Sequence, residues 1–345
     1  MNIGEIAQQA GVSRSTVSYV LSGKRQIGEA TRARVMAIID QANYRPSATA
    51  RALSNGSTRT LALAVPRLHH HLSIEIMQFV GAIAEAAAED EFDTLLSPSG
   101  GGERQAALER LVMERRVDGI ILMETLIPDP RVEMLMAHHF PFITIGRAGH
   151  DDEHDWVDTN YEGLVTEAVA RLAREGHQHV ALVNRPQEML DRGYCLSVNA
   201  QTGFDLACVN LGVHGVMVCG EEEDGAGEQS LQQILDLDPR VTGIVSVNDR
   251  SLPDLMDALA AAGRVVPDDM SVLAVAPPRV ATRTSPPVTA ADVPAASLAA
   301  KAVSTLLARI GSIQTEPVRE LVTTPFVDRG SVSPATKPAR GRRRP

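Results

Sequence analysis

The sequence predicts an α/β protein in which a small all-α headpiece precedes a body of two parallel, doubly wound sheets. Two observations lead to this prediction. Residues 3–22 and 29–43 show the apolar spacing of short helices. From residue 60 onwards, short apolar runs typical of strands alternate with amphipathic helical runs. Ten strands are predicted, which is more than one such sheet usually holds, so we expect two lobes.

The elements of the body are predicted from this alternation. Strands are expected at 60–66, 93–96, 118–123, 141–145, 156–158, 179–184, 216–219, 242–247, 270–275 and 288–292. Helices are expected at 73–89, 103–115, 161–175, 226–237, 251–262 and 294–310. No GxGxxG follows the first strand and no GxxxxGK[ST] occurs, so neither a dinucleotide nor a nucleoside triphosphate site is predicted.

Residues 3–22 are predicted to form a helix-turn-helix. Asn2 is a plausible N-cap, and Glu5 stands three residues later, which is the spacing of a capping box. Gly11 supplies a sharp turn, and Ser13 caps the second helix. The polar outer face of that helix would carry Arg14, Ser15, Thr16, Ser18 and Tyr19. A short, polar and exposed second helix is typical of a reader of the DNA major groove.

The charge of the chain is unevenly distributed. The net charge is −10, yet residues 1–59 carry +5 and the residues after 333 carry another +5, which leaves −20 on 60–333. A basic head on an acidic body favours a phosphate-binding module attached to a body that avoids DNA. Segment 333–345 is rich in proline and basic residues, and we expect a disordered basic tail there.

Several classes of protein are disfavoured by composition. No run of 18 apolar residues and no charged-then-apolar leader is present, which favours a cytoplasmic, nucleoid-associated protein. Cys195, Cys208 and Cys219 lack metal-ligand spacing and are expected to be reduced thiols. The adjacent histidines 69–71 could bind a transition metal, but neighbouring residues in a loop rarely converge on one ion. No metal and no cofactor are therefore predicted.

Three runs of the sequence identify a family. GVSRSTVSYVLSGK, TRARV and YRPSATARALSNGSTRT resemble the DNA-binding headpiece and hinge of the LacI/GalR (lactose-repressor) family. The resemblance implies a transcriptional regulator that binds a palindromic double-stranded DNA operator as a homodimer or tetramer. It also implies a body with the periplasmic-binding-protein fold, whose interlobe cleft binds a small-molecule effector.

The same resemblance sets the expected domain boundaries. The helix-turn-helix headpiece would span 1–46, the hinge helix and linker 47–59, and the effector-binding and dimerisation body 60–332. Lobe 1 would comprise about 60–160 and 294–325, and lobe 2 about 161–292 and 326–332.

The resemblance also assigns DNA contacts. Small hydroxyls near the start of the second helix suit phosphate oxygens, and these are Ser13, Thr16 and Ser18. Base edges would be read by Arg14, Ser15 and Tyr19, although Arg14 suits a phosphate equally well. The hinge adds Ser47, Ala50, Arg51 and Leu53. Leu53 matches the leucine that wedges into a central base step from the minor groove.

The effector cleft departs from the family pattern. The expected cleft residues are His71, Leu72, Ser73, Arg147, Asp158, Arg192 and Asn248. Two polar groups that the family uses for sugars or purines are replaced by Ala200 and Ala276. We therefore expect a ligand with fewer hydroxyls than the family norm, with Arg147, Arg185 or Arg192 as substitute anchors.

The leading hypothesis is a repressor controlled by a small molecule, and not an enzyme, because no GxSxG elbow or HExxH helix occurs. A ligand-independent DNA-binding regulator with a degenerate cleft remains an alternative. A solute-binding receptor is disfavoured by the missing leader and by the headpiece.

Overall fold

The computed structural model describes residues 1–22, 25–42, 44, 56–65, 74–98, 103–150, 152–223, 225–313 and 316–335. Several predicted contact residues fall outside these ranges, namely Ser47, Ala50, Arg51, Leu53, His71, Leu72 and Ser73. Their assignments stay predictions.

The headpiece consists of α1 (Ile3–Ala10), α2 (Arg14–Ser22) and α3 (Glu29–Gln41). The capping box is confirmed, because Asn2 Oδ1 accepts hydrogen bonds from the N–H groups of Gly4 and Glu5 while Glu5 accepts one from the N–H of Asn2. Gly11 has a φ of 64°, the left-handed conformation that this sharp turn requires. The three helices share a small apolar core of their own.

The first lobe contains one six-stranded parallel sheet. Its strands are β1 (Thr60–Val65), β2 (Asp93–Pro98), β3 (Gly119–Leu122), β4 (Phe142–Ile145), β5 (Asp155–Thr159) and β11 (Arg319–Val322), in the spatial order β11-β5-β4-β3-β1-β2. Its helices are α4 (Ile74–Glu89), α5 (Glu103–Met113), α6 (Pro130–Ala137) and α13 (Ala295–Ile310). β1 and β3 are buried almost along their whole length, as expected of a sheet covered on both faces.

The second lobe repeats this design with six strands. They are β6 (His179–Asn184), β7 (His214–Cys219), β8 (Gly243–Ser246), β9 (Ser271–Val275), β10 (Thr289–Ala291) and β12 (Phe326–Val327), in the order β12-β10-β9-β8-β6-β7. All pairs are parallel except β10 with β12. The helices are α7 (Tyr161–Arg174), α8 (Gln187–Asp191), α9 (Cys195–Leu211), α10 (Ala226–Leu237), α11 (Leu252–Ala261) and α12 (Pro278–Ala281). The predicted two-lobed fold is confirmed.

Helix α9, which has 17 residues, is not among the predicted helices. Its inner face buries Ala200 and Phe204, whereas Leu206 and Val209 on its other side are exposed. Apolar residues therefore surround this helix and obscure the amphipathic pattern on which the prediction relies. The short strands β11 and β12 and the helices α6, α8 and α12 are also absent from the predicted elements.

The ordered body extends past residue 333, where the disordered tail was predicted to begin. Ser333 Oγ donates to the carbonyl of Pro267, and Ser333 O accepts from Nε2 of His177. The N–H of Ala335 donates to the carbonyl of Glu175. These bonds hold residues 333–335 on the second lobe, which corrects the start of the tail.

Candidate functional site

The first candidate surface is the outer face of α2. Val17 and Val20 are buried in the headpiece core, whereas Ser13, Arg14 and Ser15 are exposed. Thr16 and Ser18 are half-buried, and Tyr19 is 36% exposed. The predicted DNA-contacting residues of the headpiece are therefore all at least partly accessible.

Three hydroxyls cluster at the start of α2. Ser13 Oγ lies 2.7 Å from Ser15 Oγ and 2.8 Å from Thr16 Oγ1, and it accepts a hydrogen bond of 3.1 Å from the N–H of Thr16. The last contact confirms Ser13 as the cap of the helix. Hydroxyls beside the unpaired N–H groups of a helix N-terminus form a suitable surface for a phosphate oxygen.

The two larger side chains of this face contact the headpiece itself. A methyl group added at Gly4 would lie 2.8 Å from Nη2 of Arg14, so the guanidinium lies against α1 at that glycine. The guanidinium carbon of Arg25 lies 5.9 Å from the centre of the Tyr19 ring, within the range of a cation–π contact. The structure thus presents Arg14 folded along α1.

The second candidate site is a cavity between the lobes, at the carboxyl ends of the parallel strands. Its volume is about 80 Å³, which holds a few water molecules. The charged and polar residues that line it are Glu75, Glu124, Thr125, Asp158, Tyr161, Arg185 and Tyr194. This is the position at which open α/β sheets bind ligands.

A buried ionic network crosses the cleft. Arg185, which follows β6, lies 2.7 Å from Glu75 of α4, 3.0 Å from Asp249 and 3.2 Å from Glu222. The Tyr161 hydroxyl donates a 3.0 Å hydrogen bond to Glu75 Oε1. Burial raises the pKa of Glu75, and the neighbouring Arg185 opposes that rise. Because Glu75 belongs to the first lobe and Arg185 to the second, this ion pair fastens the lobes together.

Glu124 contributes a second carboxyl group to the cavity wall. It follows β3 with a φ of 45°, a left-handed conformation that is costly for a residue with a side chain. Its backbone carbonyl accepts a 3.0 Å hydrogen bond from Arg131, which is itself paired with Asp129 at 2.6 Å. Burial raises the pKa of Glu124 to about 7, and Glu222 and Glu75 add to the rise. Within the described residues its carboxylate has neither a hydrogen-bond nor an ion-pair partner.

Asp158 lies at the cavity wall, as the sequence predicts. Burial raises its pKa to about 6, while Arg147, whose Nε is 3.3 Å away, limits the rise. The Cys195 thiol lies 3.7 Å from the same carboxylate, and burial raises the pKa of that thiol. Nη2 of Arg147 is buried and has no hydrogen-bond partner in the part of the chain that the structure describes.

Other predicted cleft residues lie outside the cavity wall. Arg192 is on the surface, where it approaches Glu188 at 3.5 Å. Asn248 is fully buried; its Nδ2 donates to the carbonyl of Gly220 at 2.7 Å, and its Oδ1 accepts from the N–H of Ser251 at 3.2 Å. Asn248 thus holds two loops of the second lobe together.

The two alanines at the missing anchor positions are 0% and 1% exposed, and they pack in the core instead of presenting polar groups. Glu75, Glu124 and Tyr161 were not predicted as site residues. Glu124 directly follows a predicted strand, and that position at a sheet's carboxyl edge was a usable signal.

Among the described residues, every helix is too short or too polar to span a lipid bilayer.

Comparison with known proteins places these surfaces in a family. The model of bacterial regulatory proteins of the lacI family matches residues 2–47, and that of the periplasmic binding protein-like domain matches 169–332. The transcriptional repressor PurR of Vibrio campbellii is 30% identical over 312 residues, which cover 89% of this chain and 91% of PurR.

Two solved structures resemble the whole chain. A complex of the transcriptional regulator CelR with cellobiose is 26% identical, with a TM-score of 0.72 over 96% of this chain and 99% of CelR. A lac repressor dimer bound to operator and the anti-inducer ONPF is 21% identical, and shares the fold with a TM-score of 0.83 over 96% of this chain and 99% of the repressor. The chain therefore belongs to the LacI family of DNA-binding transcriptional regulators.

Proposed function

We propose that this protein is a homodimeric repressor whose two headpieces insert α2 into successive major grooves of a palindromic operator. The observation that carries the proposal is the accessible polar face of α2 on a separately packed headpiece core. In this role Ser13, Thr16 and Ser18 contact phosphates, and Arg14, Ser15 and Tyr19 read base edges. The lac repressor structure, a dimer bound to operator, supports this geometry through its shared fold.

The hinge completes the proposed DNA interface. Residues 47–53 would pair with their twin over the operator centre, because a helix of one or two turns is unstable alone. Ser47, Ala50 and Arg51 would face DNA or the twin helix, and Leu53 would wedge into the minor groove. The protein would act in the cytoplasm, on nucleoid DNA, by binding and not by catalysis.

We further propose that the interlobe cavity takes a small effector that donates hydrogen bonds to carboxylates. Glu124 lines the cavity and has no hydrogen-bond or ion-pair partner among the described residues, and Asp158 lies at the same wall beside Arg147. A buried carboxylate without a donor is costly, so a ligand that supplies one gains affinity there. CelR was solved with cellobiose. For this chain the buried Ala200 and Ala276 favour a ligand with fewer hydroxyls.

A regulator without an effector is the second candidate, and one observation favours it. The cavity holds only about 80 Å³, and Arg185 already pairs with Glu75 and Asp249 there. In that case the ionic network would keep the two lobes in one arrangement permanently.

Two assays together separate these proposals. Selection from random duplex DNA at fixed salt gives the operator, and thermal-shift screening of sugars, nucleosides, amino acids and amines tests the cavity. Glu124→Gln should weaken the binding of an effector that uses this carboxylate, because the amide N–H groups are themselves hydrogen-bond donors. Glu188→Gln on the surface should leave that binding unchanged. Failure to enrich a palindrome refutes the operator proposal. If a palindrome is enriched but no metabolite stabilises the protein or changes its operator affinity, the ligand-independent regulator is favoured.

A further inference from the structure

A cluster of metal-ligating side chains lies on the second lobe, at the end opposite the cleft. His179 is the first residue of β6, His214 is the first residue of β7, and Asp238 ends α10. The cleft lies at the other end of these strands, which rise about 3.3 Å per residue, so roughly 18 Å of strand separates the two places.

The three side chains converge. Nδ1 of His179 lies 2.8 Å from Asp238 Oδ2, and Nδ1 of His214 lies 3.1 Å from the same oxygen. One ligand atom from each residue lies within 4.8 Å of those of the other two. Ligand atoms on a tetrahedral zinc ion at about 2.0–2.1 Å stand about 3.3 Å apart, so small side-chain shifts suffice to surround an ion.

The carboxylate is already oriented for this role. Its Oδ1 accepts hydrogen bonds from the backbone N–H of Arg240 at 3.0 Å and from its Nε at 2.8 Å, which turns Oδ2 towards the histidines. Hydrogen bonds that orient a ligand in this way are typical of metal sites.

Access is also provided. The side chain of Asp238 is 1% exposed while that of His214 is 55% exposed, so an ion would meet a shielded anion on one side and water on the other. We propose that His179, His214 and Asp238 form a binding site for a divalent transition metal that favours imidazole, such as Zn²⁺, with water completing its coordination. The site ties the starts of β6 and β7 to the end of α10.

Arg240 provides a discriminating feature. Its Nη2 donates to Asp238 Oδ2 at 3.2 Å and therefore competes with a metal for the same oxygen. Removing this side chain should therefore strengthen metal binding. If the cluster were only a hydrogen-bond network, removing the side chain would instead loosen the cluster and bring no gain in metal affinity. The backbone N–H of residue 240 would still orient the carboxylate.

The test is titration of the full chain, freed of metal by chelation, with Co²⁺ and Zn²⁺. Visible absorption of Co²⁺ reports the geometry, and calorimetry reports the Zn²⁺ affinity. All variants are made in a background in which histidines 69–71 are glutamines, because that run is a separate source of imidazole. We expect one equivalent to bind in this background and His214→Gln to lower the affinity at least tenfold. Arg240→Ala should raise the affinity several-fold.

His150→Gln is the matched control, since His150 is an exposed histidine whose imidazole lies 3.4 Å from the carboxylate of Glu153. It should leave the affinity unchanged. His179→Gln provides a second ligand variant, and circular dichroism without metal checks that each variant folds. The proposal is overturned if binding disappears with the 69–71 replacement alone. It is also overturned if His214→Gln and His179→Gln bind Zn²⁺ as tightly as their background.

Discussion

The ion pair between Glu75 and Arg185 should control how tightly the lobes close, and Glu75→Gln tests this. The two charged atoms are 2.7 Å apart, and their side chains are only 12% and 6% exposed. Removing one partner of a buried pair costs about 3–5 kcal/mol. Glutamine keeps an oxygen for Tyr161, and Asp249 still neutralises Arg185, so we expect a smaller loss of about 1–3 kcal/mol.

This loss should fall mainly on the equilibrium between closed and open lobes. Each 1.4 kcal/mol is a factor of about ten, so the open form should gain roughly 5–150-fold in relative population. Small-angle scattering should give a larger radius of gyration for Glu75→Gln. Hydrogen exchange should accelerate at the N-terminus of α4 and in the loop after β6.

Glu222→Gln is the matched control, because it alters the same network at an oxygen 3.2 Å from Arg185 on a side chain that is 30% exposed. An ion pair this accessible is worth at most about 1 kcal/mol. Its scattering and exchange should resemble the wild type. If Glu75→Gln also behaves like the wild type, the ion pair does not hold the lobes together and the reasoning fails.

Three further outcomes are expected. Leu53→Ala should lose operator bending and specific affinity while keeping nonspecific binding; wild-type bending in a circular-permutation gel would contradict the wedge. Because burial raises the pKa of Glu124 to about 7, its protonation stabilises the fold at low pH, and this stabilisation is lost as the pH rises through 7. Glu124→Gln should therefore have a free energy of unfolding higher than that of the wild type at pH 8, by on the order of 2 kcal/mol, and this difference should shrink towards pH 5. A difference that stays the same at every pH would refute this. Gly203→Ala would place a methyl carbon 2.2 Å from the Glu162 carbonyl oxygen, so the free energy of unfolding measured in urea should fall by about 1–3 kcal/mol. An unchanged unfolding midpoint would show that α7 and α9 can move apart without cost.

Local features were predictable from the sequence, and long-range ones were not. The capping box of α1 and the Ser13 cap depend on residues two or three positions apart, so their spacing is visible in the sequence. The Arg185 network joins residues 37 to 110 positions apart, and only the fold brings them together.

The cleft shows the same limit from the opposite side. Asp158 was predicted and lies at the cavity wall, but Asn248 uses its amide inside its own lobe, which no sequence pattern reveals. The left-handed backbone of Glu124 likewise has no signature in the sequence, because a charged residue is unexpected in that conformation.

The central claim is that α2 reads DNA sequence, and selection of operators by wild type and Arg14→Ala tests it most directly. Both proteins are incubated with the same random duplex library at one salt concentration, and bound sites are sequenced. We predict a palindrome with half-sites about one helical turn apart for the wild type, and for Arg14→Ala a relaxed preference at one base pair of each half-site, worth about 1–3 kcal/mol. A wild type that enriches no palindrome would contradict the account, and a uniform loss of affinity in Arg14→Ala would make Arg14 a phosphate contact.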